Sequence, residues 1–196
     1  MAPTEQRTAS RPGGRSARVL AAVHQAATEL ICERGPENVS IPAIATRAGV
    51  NPTSIYRRWG DVHQLLAAVA ESRLAPESLP EDTGSLREDL AVWAEELLDH
   101  ISSTEGYASL RTVINATADG EVRHRCLSKR ADQVDLILGR AKARGESGPT
   151  TAQVMDRILA LLHFRVLFGV EPTDSAYARG LVDELLAASP ATECAR

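Results

Sequence analysis

The segment NPTSIYRRWG, residues 51–60, concentrates side chains that can bind nucleic acid. Its hydroxyl and basic members are Thr53, Ser54, Tyr56, Arg57 and Arg58. On a helix, positions 53, 54 and 57 share one outward flank, whereas Ile55 and Trp59 turn inward. A short hydroxyl can donate to or accept from a base edge, and an arginine can hold O6 and N7 of guanine. The pattern therefore predicts that Thr53, Ser54 and Arg57 read bases in a major groove.

Further side chains suit the phosphate backbone. Tyr56 and Arg58 are predicted phosphate contacts, and Ser40 precedes a helix whose free backbone amides favour an anion. Arg15 and Arg18 lie at the start of the first predicted helix and can follow the backbone or enter a minor groove. The alternative is that the basic and aromatic residues of this segment form only a solvated helix face.

Two helices must precede the reading helix to position it. An apolar stripe at helical spacing begins after Ser16, and Gly35 is placed to end that first helix in a left-handed cap. Ser40 is a good N-cap for a short second helix. Gly49 can supply the positive φ that a tight turn between helices demands.

The third helix has its own start signals. Asn51 caps it, Pro52 suits a first turn that needs no amide donor, and the helix is expected to reach about Arg58. The small Ala45 lets two helices approach closely, and Ile55 fills the core beneath them. This spacing is typical of a helix-turn-helix motif.

The rest of the chain is predicted to be helical. Asp61 and Gln64 form a capping-box pattern that opens a fourth helix reaching about Leu74. The segment 75–85, with two prolines and one glycine, is the expected joint between head and body. Further helices are expected at about 85–103, 106–117, 119–144, 150–169 and 173–188. The predicted fold class is all-α.

Composition and charge agree with this prediction. The 196 residues are 43% apolar, 24% charged and only 4% aromatic, and no alternating β-type runs stand out. The net charge of −4 hides an asymmetry. Residues 1–75 hold nine arginines and six acidic residues, whereas residues 76–196 hold 13 basic and 20 acidic residues. A positive head on an acidic body suits an anionic partner at one end only.

Several classes of protein are disfavoured. The three cysteines, Cys32, Cys126 and Cys194, are far apart and form no paired motif, so we expect no disulfide framework, no metal site and a reducing cytoplasm. The longest apolar run, at 158–170, is interrupted by His163 and Arg165, so we expect no membrane segment. No nucleophile elbow, glycine-rich phosphate loop or zinc-protease motif occurs, so we expect neither an enzyme nor a cofactor.

The stretch NVSIPAIATRAGVNPTSIYRRWGDVHQLL resembles the DNA-binding head of the TetR/AcrR family of bacterial transcriptional regulators. The resemblance covers about residues 16–75. The segments RAKARGE and EPTDSAYARGLVDELL are similar to C-terminal domains of actinobacterial members. The family implies an all-helical homodimer, usually a repressor, whose C-terminal domain binds an unidentified small-molecule effector that releases the DNA operator. The implied organisation is a disordered basic arm at 1–14, a DNA-binding domain at 15–75 and an effector-binding and dimerisation domain at 76–196.

The resemblance also assigns roles to residues. It implies that Thr53, Ser54 and Arg57 read bases, with Pro52 in apolar contact, and that Tyr56, Arg58 and Ser40 anchor phosphates. Two positions depart from the family pattern. Val62 stands where members often have a lysine, and Pro42 stands where a polar or basic residue is common. We therefore expect a shallower salt dependence of DNA binding than in a lysine-bearing relative.

The last two predicted helices carry apolar faces that can form a four-helix dimer interface from two copies of the pair. The predicted interface residues are Val154, Ile158, Leu161, Leu162, Leu181 and Leu185. The alternative is that these faces pack only within one chain.

A ligand pocket between the body helices is a further prediction. Its candidate lining residues are Trp93, Leu97, His100, Tyr107, Leu110, Val113, Phe164 and Phe168, which can equally be core residues. His163, alone on an apolar helix, is expected to be a hydrogen-bonded core or interface residue. The run RHRCLSKR at 123–130 can bind an acid, but a solvated helix face is the expected structure.

The function predicted from all of this is a sequence-specific, ligand-responsive repressor that binds a palindromic operator in double-stranded DNA as a dimer. The alternative is a helical small-molecule-binding or interaction protein that uses the helix-turn-helix without reading DNA. An enzyme hidden in the helical bundle is the third class. Substitution of Arg57 separates the first two, because a base reader loses both DNA affinity and base preference with it, whereas an interaction protein is unaffected.

Overall fold

The computed structural model describes residues 14–74, 79–115 and 120–188, without the side chains of Arg15 and Asn115. Across these ranges the regular elements are helices and no strand occurs, which confirms the all-α fold class. The chain divides into two compact units, and the boundary falls between Leu65 and Leu66. Each unit has its own buried core.

The N-terminal unit contains three helices and the start of a fourth. Helix α1 spans Arg15–Arg34, α2 spans Ile41–Ala48, α3 spans Pro52–Trp59 and α4 spans Val62–Leu74, and a short 3-10 turn covers Pro36–Asn38. These bounds agree closely with the predicted ones, because the N-cap and glycine signals lie at both ends of each short helix.

The core of this unit is small and continuous. Its largest buried side chains come from α1, α2, α3 and the first turn of α4, and each is no more than 3% exposed: Val23, Leu30, Ile31, Ile44, Ile55 and Leu65. These are the apolar positions that the helical periodicity predicted to face inward. The burial fixes which flank of α3 remains outside.

The C-terminal unit is a bundle built around one long helix. Helix α5 spans Leu86–Ser102, α6 spans Thr104–Asn115, α7 spans Glu121–Ala143, α8 spans Thr151–Val154, α9 spans Ala160–Phe168 and α10 spans Ser175–Ala188. A π-helical segment, Met155–Leu159, joins α8 to α9, so the single helix predicted at 150–169 is interrupted. Helix α5 packs against α6, α7, α9 and α10 and is the centre of the bundle.

Helix α5 is central because its buried residues form a wide, largely apolar face, although the helix also carries exposed charged residues. Leu90, Ala94 and Ile101 are fully buried, and the Trp93 ring is 2% exposed. A helix with a wide apolar face requires several neighbours, which α6, α7, α9 and α10 provide. The bundle therefore closes around α5.

None of the helices in the described ranges combines the length and the apolar character that crossing a bilayer requires.

Candidate nucleic-acid interface

The turn between α2 and α3 is built from local hydrogen bonds. The Ser40 hydroxyl accepts from the amide of Ala43 at 3.4 Å and caps α2. Gly49 ends that helix with φ of 66°, and the next amide, of Val50, donates to the carbonyl of Ala45 at 3.0 Å. These bonds close the C-terminus of α2 in the left-handed cap that glycine permits. The predicted helix-turn-helix geometry is thereby confirmed.

Helix α3 starts as the sequence predicted. The side-chain oxygen of Asn51 accepts from the amide of Thr53 at 2.8 Å, and Pro52 occupies the first position of the helix. On the inner side, Ile55 is 1% exposed and anchors α3 in the core. The Trp59 ring is half-buried and lies 6.1 Å from the His24 ring on α1, centroid to centroid. These two contacts fix the rotation of α3 about its axis.

The outward side of α3 carries the predicted DNA contacts. Pro52, Thr53, Arg57 and Arg58 are exposed, and the Tyr56 ring is 47% exposed. Ser54 is half-buried, so it lies at the edge of the flank rather than at its centre. This arrangement presents Thr53 and Arg57 to a partner most directly.

The arginines of this unit fall into two groups. Arg47 on α2 donates to both carboxylate oxygens of Glu33 on α1, at 2.5 and 2.9 Å, and this hydrogen-bonded pair lowers the pKa of Glu33. In the part of the chain that the structure describes, Arg18, Arg57 and Arg58 form no ion pair, although the Arg58 guanidinium lies 5.3 Å from the Trp59 ring centroid. A guanidinium without a protein counter-ion is available to bind a phosphate or a base.

Two grooves connect the start of α1 with the helix-turn-helix. One, of about 510 Å³, is lined by Val19 and Leu20 from α1 and by Ser54, Arg57 and Arg58 from α3. The structure thus places the outward flank of α3 next to the first turns of α1.

The second groove has a volume of about 360 Å³. It brings Arg18 together with Ala48, Gly49 and Val50 at the turn. Arg18 is therefore close to the motif, as its predicted role as a backbone contact requires. The Arg15 side chain and the arm at residues 1–13 lie outside the described part of the chain.

The predicted pocket residues of the body separate into two groups. Trp93, Leu97, Leu110 and Val113 belong to one buried cluster, with exposed fractions between 1% and 5%, and His100 and Tyr107 are half-buried. Phe164 and Phe168 are instead 52% and 70% exposed, with ring centroids 4.8 Å apart. The structure does not bring these two phenylalanines into the buried cluster.

The six predicted interface residues also separate. Val154, Ile158, Leu162, Leu181 and Leu185 are at most 7% exposed within their own chain. These five side chains pack in the core of their own chain, in agreement with the alternative weighed for these apolar faces, and their contact with a second copy stays a prediction. Leu161 is 40% exposed and lies on α9 with the two exposed phenylalanines. Of the six predicted interface residues, Leu161 is therefore the one that contributes to the exposed apolar surface of α9.

One feature of the body was not expected from the sequence. The run at 123–130 was expected to be a solvated face, yet its Arg130 is only 7% exposed and its Cys126 is 9% exposed. The helical spacing of four between Cys126, Arg130 and the buried Val134 places them on one stripe, which is the signal that could have identified Arg130 as buried.

The chain matches two family models and many known proteins. Residues 24–69 match the model described as bacterial regulatory proteins, tetR family, and residues 80–185 match the model of a tetracyclin repressor-like C-terminal domain. It is 34% identical over 140 residues to the HTH-type transcriptional regulator AqdR of Rhodococcus erythropolis, an alignment covering 70% of this chain and 68% of AqdR.

Two further matches extend over most of the chain. The DNA-binding transcriptional repressor TetR of Mycobacteroides abscessus is 28% identical over 179 residues, covering 88% of this chain and 92% of the repressor. A TetR transcriptional regulator from Agrobacterium tumefaciens has a crystal structure with a TM-score of 0.66 and 24% identity, covering 90% of this chain and 96% of that one. This last likeness shows the fold.

Proposed function

Since this chain belongs to the TetR family of bacterial transcriptional regulators and is therefore a DNA-binding regulator, we propose that it represses transcription from a palindromic operator that it binds as a homodimer. Dimerisation and response to a ligand are typical of the family. Acting on chromosomal DNA, the protein works in the cytoplasm.

The observation that carries this proposal is the outward flank of α3. Thr53 and Arg57 are exposed there, on a helix whose opposite side is fixed in the core by Ile55. In the proposed complex Arg57 donates two hydrogen bonds to a guanine, and Thr53 contacts a neighbouring base, with Ser54 at the edge of the flank and Pro52 in apolar contact. Base recognition therefore depends on Arg57, whose charge no carboxylate in the described ranges neutralises.

The phosphate contacts surround this flank. Tyr56 and Arg58 lie on its two edges, Ser40 lies at the N-terminus of α2, and Arg18 lies by the turn. We also retain Arg15 as a proposed contact. Phosphate contacts orient the head on the duplex without reading its sequence, so they set affinity, whereas the α3 flank sets specificity.

The proposed dimer interface is the exposed apolar surface of α9. Leu161, Phe164 and Phe168 lie on this helix with 40%, 52% and 70% of their surface exposed. Exposed apolar surface of this kind is characteristic of an interaction site. A second copy packed on it forms a symmetric interface and presents two α3 helices to successive major grooves about 34 to 36 Å apart, or a multiple of this distance.

We further propose that the body binds a small-molecule effector and catalyses no reaction. Binding of the effector then lowers operator affinity by stabilising a conformation of the dimer that does not fit the DNA. A bound effector should accordingly be recovered chemically unchanged after incubation with the protein.

Selection of bound sequences from a pool of randomised duplexes, at one salt concentration near physiological, tests the proposal. The expected result is a palindrome whose half-sites are spaced by one helical turn or a multiple of it. Enrichment of single half-sites would contradict dimeric recognition. Recovery of no sequence would contradict the proposed operator binding and favour the alternative, an interaction protein that does not read DNA.

A further inference from the structure

Arg130 is a buried arginine that has no counter-ion within the described part of the chain. Its side chain lies on α7 and is 7% exposed. Nη1 donates to the amide oxygen of Gln133 at 2.9 Å, and Nη2 donates to the backbone carbonyl of Leu74 at 2.6 Å. Both acceptors are neutral, and across the described ranges no carboxylate forms an ion pair with this guanidinium. Among the described residues, acceptors are therefore present for two of its five N–H donors.

The charge on Arg130 persists at neutral pH. Burial lowers the pKa of Arg130 to about 10, so the guanidinium remains protonated at pH 7. Burying a charge opposes folding unless an opposite charge or enough hydrogen bonds compensate for it. Two other arginines of the body have carboxylate partners, Arg144 with Asp89 at 2.9 Å and Arg179 with Glu88 at 2.9 Å. Arg130 differs from both in this respect.

Two histidines on other helices of the body interact electrostatically with Arg130. Burial lowers the pKa of His100 on α5 and of His163 on α9, and the charge of Arg130 lowers both further. Both imidazoles are therefore neutral at pH 7 and supply no negative charge. Nε2 of His100 is buried and has no hydrogen-bond partner among the described residues, whereas Nδ1 of His163 lies 2.8 Å from the carbonyl of Leu159.

The surroundings of these polar groups are apolar. Cys126 and Val134, one turn before and one turn after Arg130, belong to the buried cluster of the body. On α5, Trp93 and Leu97 belong to the same cluster, and the Trp93 indole N–H donates to the Gln133 oxygen at 3.2 Å. Polar groups converging from α5, α7 and α9 in an apolar environment are typical of ligand sites between bundle helices.

We propose that Arg130 binds the carboxylate of the effector, and that the effector is an organic acid whose remaining part is apolar. A guanidinium presents a planar pair of donors that matches the two oxygens of a carboxylate, and the ligand supplies the ion-pair partner that Arg130 lacks among the described residues. The unpartnered Nε2 of His100 is a second polar contact for the acid. The inference rests on the proposed effector-responsive function and names the chemical class of its ligand.

Arg130 also connects the proposed site to α4, so a bound ligand can affect the end of that helix. The guanidinium that binds the acid already donates to the carbonyl of Leu74, the last residue of α4. A carboxylate that draws the guanidinium toward itself competes with this carbonyl. Binding of the acid is therefore coupled to the end of α4 through one side chain.

Thermal unfolding of the 196-residue protein in the presence of acetate, butanoate, hexanoate and octanoate tests this inference. Each acid is compared with the straight-chain alcohol of the same length at the same concentration. The expected result is an unfolding temperature that rises with the acid and rises more as its chain lengthens, whereas the alcohols have a smaller effect. No rise across the acids, or an equal rise with the alcohols, would overturn the inference.

Variants assign the effect to Arg130. Arg130→Met should abolish the acid-dependent rise without lowering the unfolding temperature of the unliganded protein, because it removes a buried charge. Arg130→Lys keeps the charge but not the planar pair of donors, and should weaken octanoate binding about tenfold in calorimetry. Arg111→Met, at an exposed position on α6, is the matched control and should retain the full rise.

Two results would give Arg130 a purely structural role. One is an equal acid-dependent rise in Arg130→Met and in the wild type. The other is an Arg130→Met or Arg130→Lys protein that is unfolded or strongly destabilised without any acid.

Because thermal unfolding needs no DNA, the two proposals fail separately. A chain that selects a palindrome but is not stabilised by acids is a regulator with a different ligand class. A chain that binds acids through Arg130 but selects no DNA retains this site and contradicts the proposed repressor.

Discussion

At the turn of the DNA-binding motif, one glycine has a conformation that other residues adopt only with strain. Gly49 has φ of 66° and ψ of 35°, and a Cβ built on it meets no heavy atom within 4 Å. The position is therefore open in space but restricted in backbone conformation. Any loss of stability on substitution of Gly49 therefore comes from backbone strain in the left-handed conformation and not from a steric clash.

Gly49→Ala should lower the free energy of unfolding by about 1 to 2 kcal/mol, because an L-residue in the left-handed region is strained by this amount. Gly139→Ala is the matched control, since Gly139 lies within α7 and its Cβ also meets no atom within 4 Å. That control should raise stability by about 0.5 to 1 kcal/mol, because alanine favours a helix. Urea denaturation measures both, and equal effects would contradict the assigned turn.

A substitution at Val62 tests whether this position can contact a DNA phosphate. It is the first residue of α4 and is half-buried, at a position where the family often has a lysine. Val62→Lys should steepen the plot of log affinity against log salt concentration by about 0.9 per head, or about 1.8 per dimer. Val62→Gln, polar but uncharged, should leave the slope unchanged. An unaltered slope with lysine would show that this position does not reach a phosphate.

At the scale of elements, ion pairs join the helices of the body to one another. Asp89 on α5 is 1% exposed and accepts from the backbone N–H of Thr83 at 2.7 Å, from its hydroxyl at 2.6 Å and from Arg144 at 2.9 Å. Burial alone would raise the pKa of this carboxyl, but the hydrogen bonds from Thr83 and Arg144 outweigh burial and lower it. The segment before α5 and the end of α7 are thus held by one carboxylate.

Asp89→Asn should destabilise the protein by about 1 to 3 kcal/mol at pH 7, because a buried charged acceptor is lost. The folded pKa of Asp89 lies below its unfolded value of about 3.9, so this contribution is complete above that pH and is lost as the pH falls through the folded pKa. The difference from wild type should therefore shrink in acid. Asp183→Asn, which breaks the exposed pair with Arg87, is the control and should cost less than about 1 kcal/mol. Unfolding at fixed protein concentration measures both, and a pH-independent difference would contradict the account.

The elements themselves could be predicted because their signals are local. The N-caps Ser40 and Asn51 and the glycine that ends α2 lie where the chain has to turn, and the structure confirms them. The partner of each apolar face could not be predicted in this way. Helix α9 is apolar on several sides, so its periodicity did not distinguish Leu162, which is buried in its own chain, from Phe164, which is exposed. That distinction depends on packing between helices distant in sequence.

Arg130 illustrates a second limit. A basic residue in a charged run is usually solvated, and the stripe formed with Cys126 and Val134 is too short to outweigh that expectation. Only the tertiary structure shows that α5 and the end of α4 cover this side of α7. Sites of this kind combine polar side chains with burial, so sequence patterns of burial alone do not reveal them.

At the scale of the whole molecule, the proposed function requires two copies of the chain. Each chain supplies one α3, and recognition of a palindrome follows from the two-fold symmetry of a dimer. The exposed residues of α9 provide the apolar area for that contact. The basic head of each chain suits the anionic DNA.

Phe164→Asp should convert the dimer into a monomer, because it places a charge in the centre of the proposed apolar interface. Leu79→Asp is the control, since Leu79 is 76% exposed and lies outside the helices. Light scattering after gel filtration at micromolar concentration should give half the wild-type mass for the first variant and the wild-type mass for the second. A dimeric Phe164→Asp protein would show that the dimer interface does not lie on this surface of α9.

The most direct test of sequence reading is the affinity of Arg57→Ala for the selected operator and for operators with one base pair changed. The account predicts a loss of about 1 to 3 kcal/mol, or about 5- to 150-fold, together with lost preference at one position in each half-site. Arg111→Ala, which removes the same charge from the body, should bind like the wild type. If Arg57→Ala retains both the affinity and the base preference of the wild type, the outward flank of α3 does not read DNA.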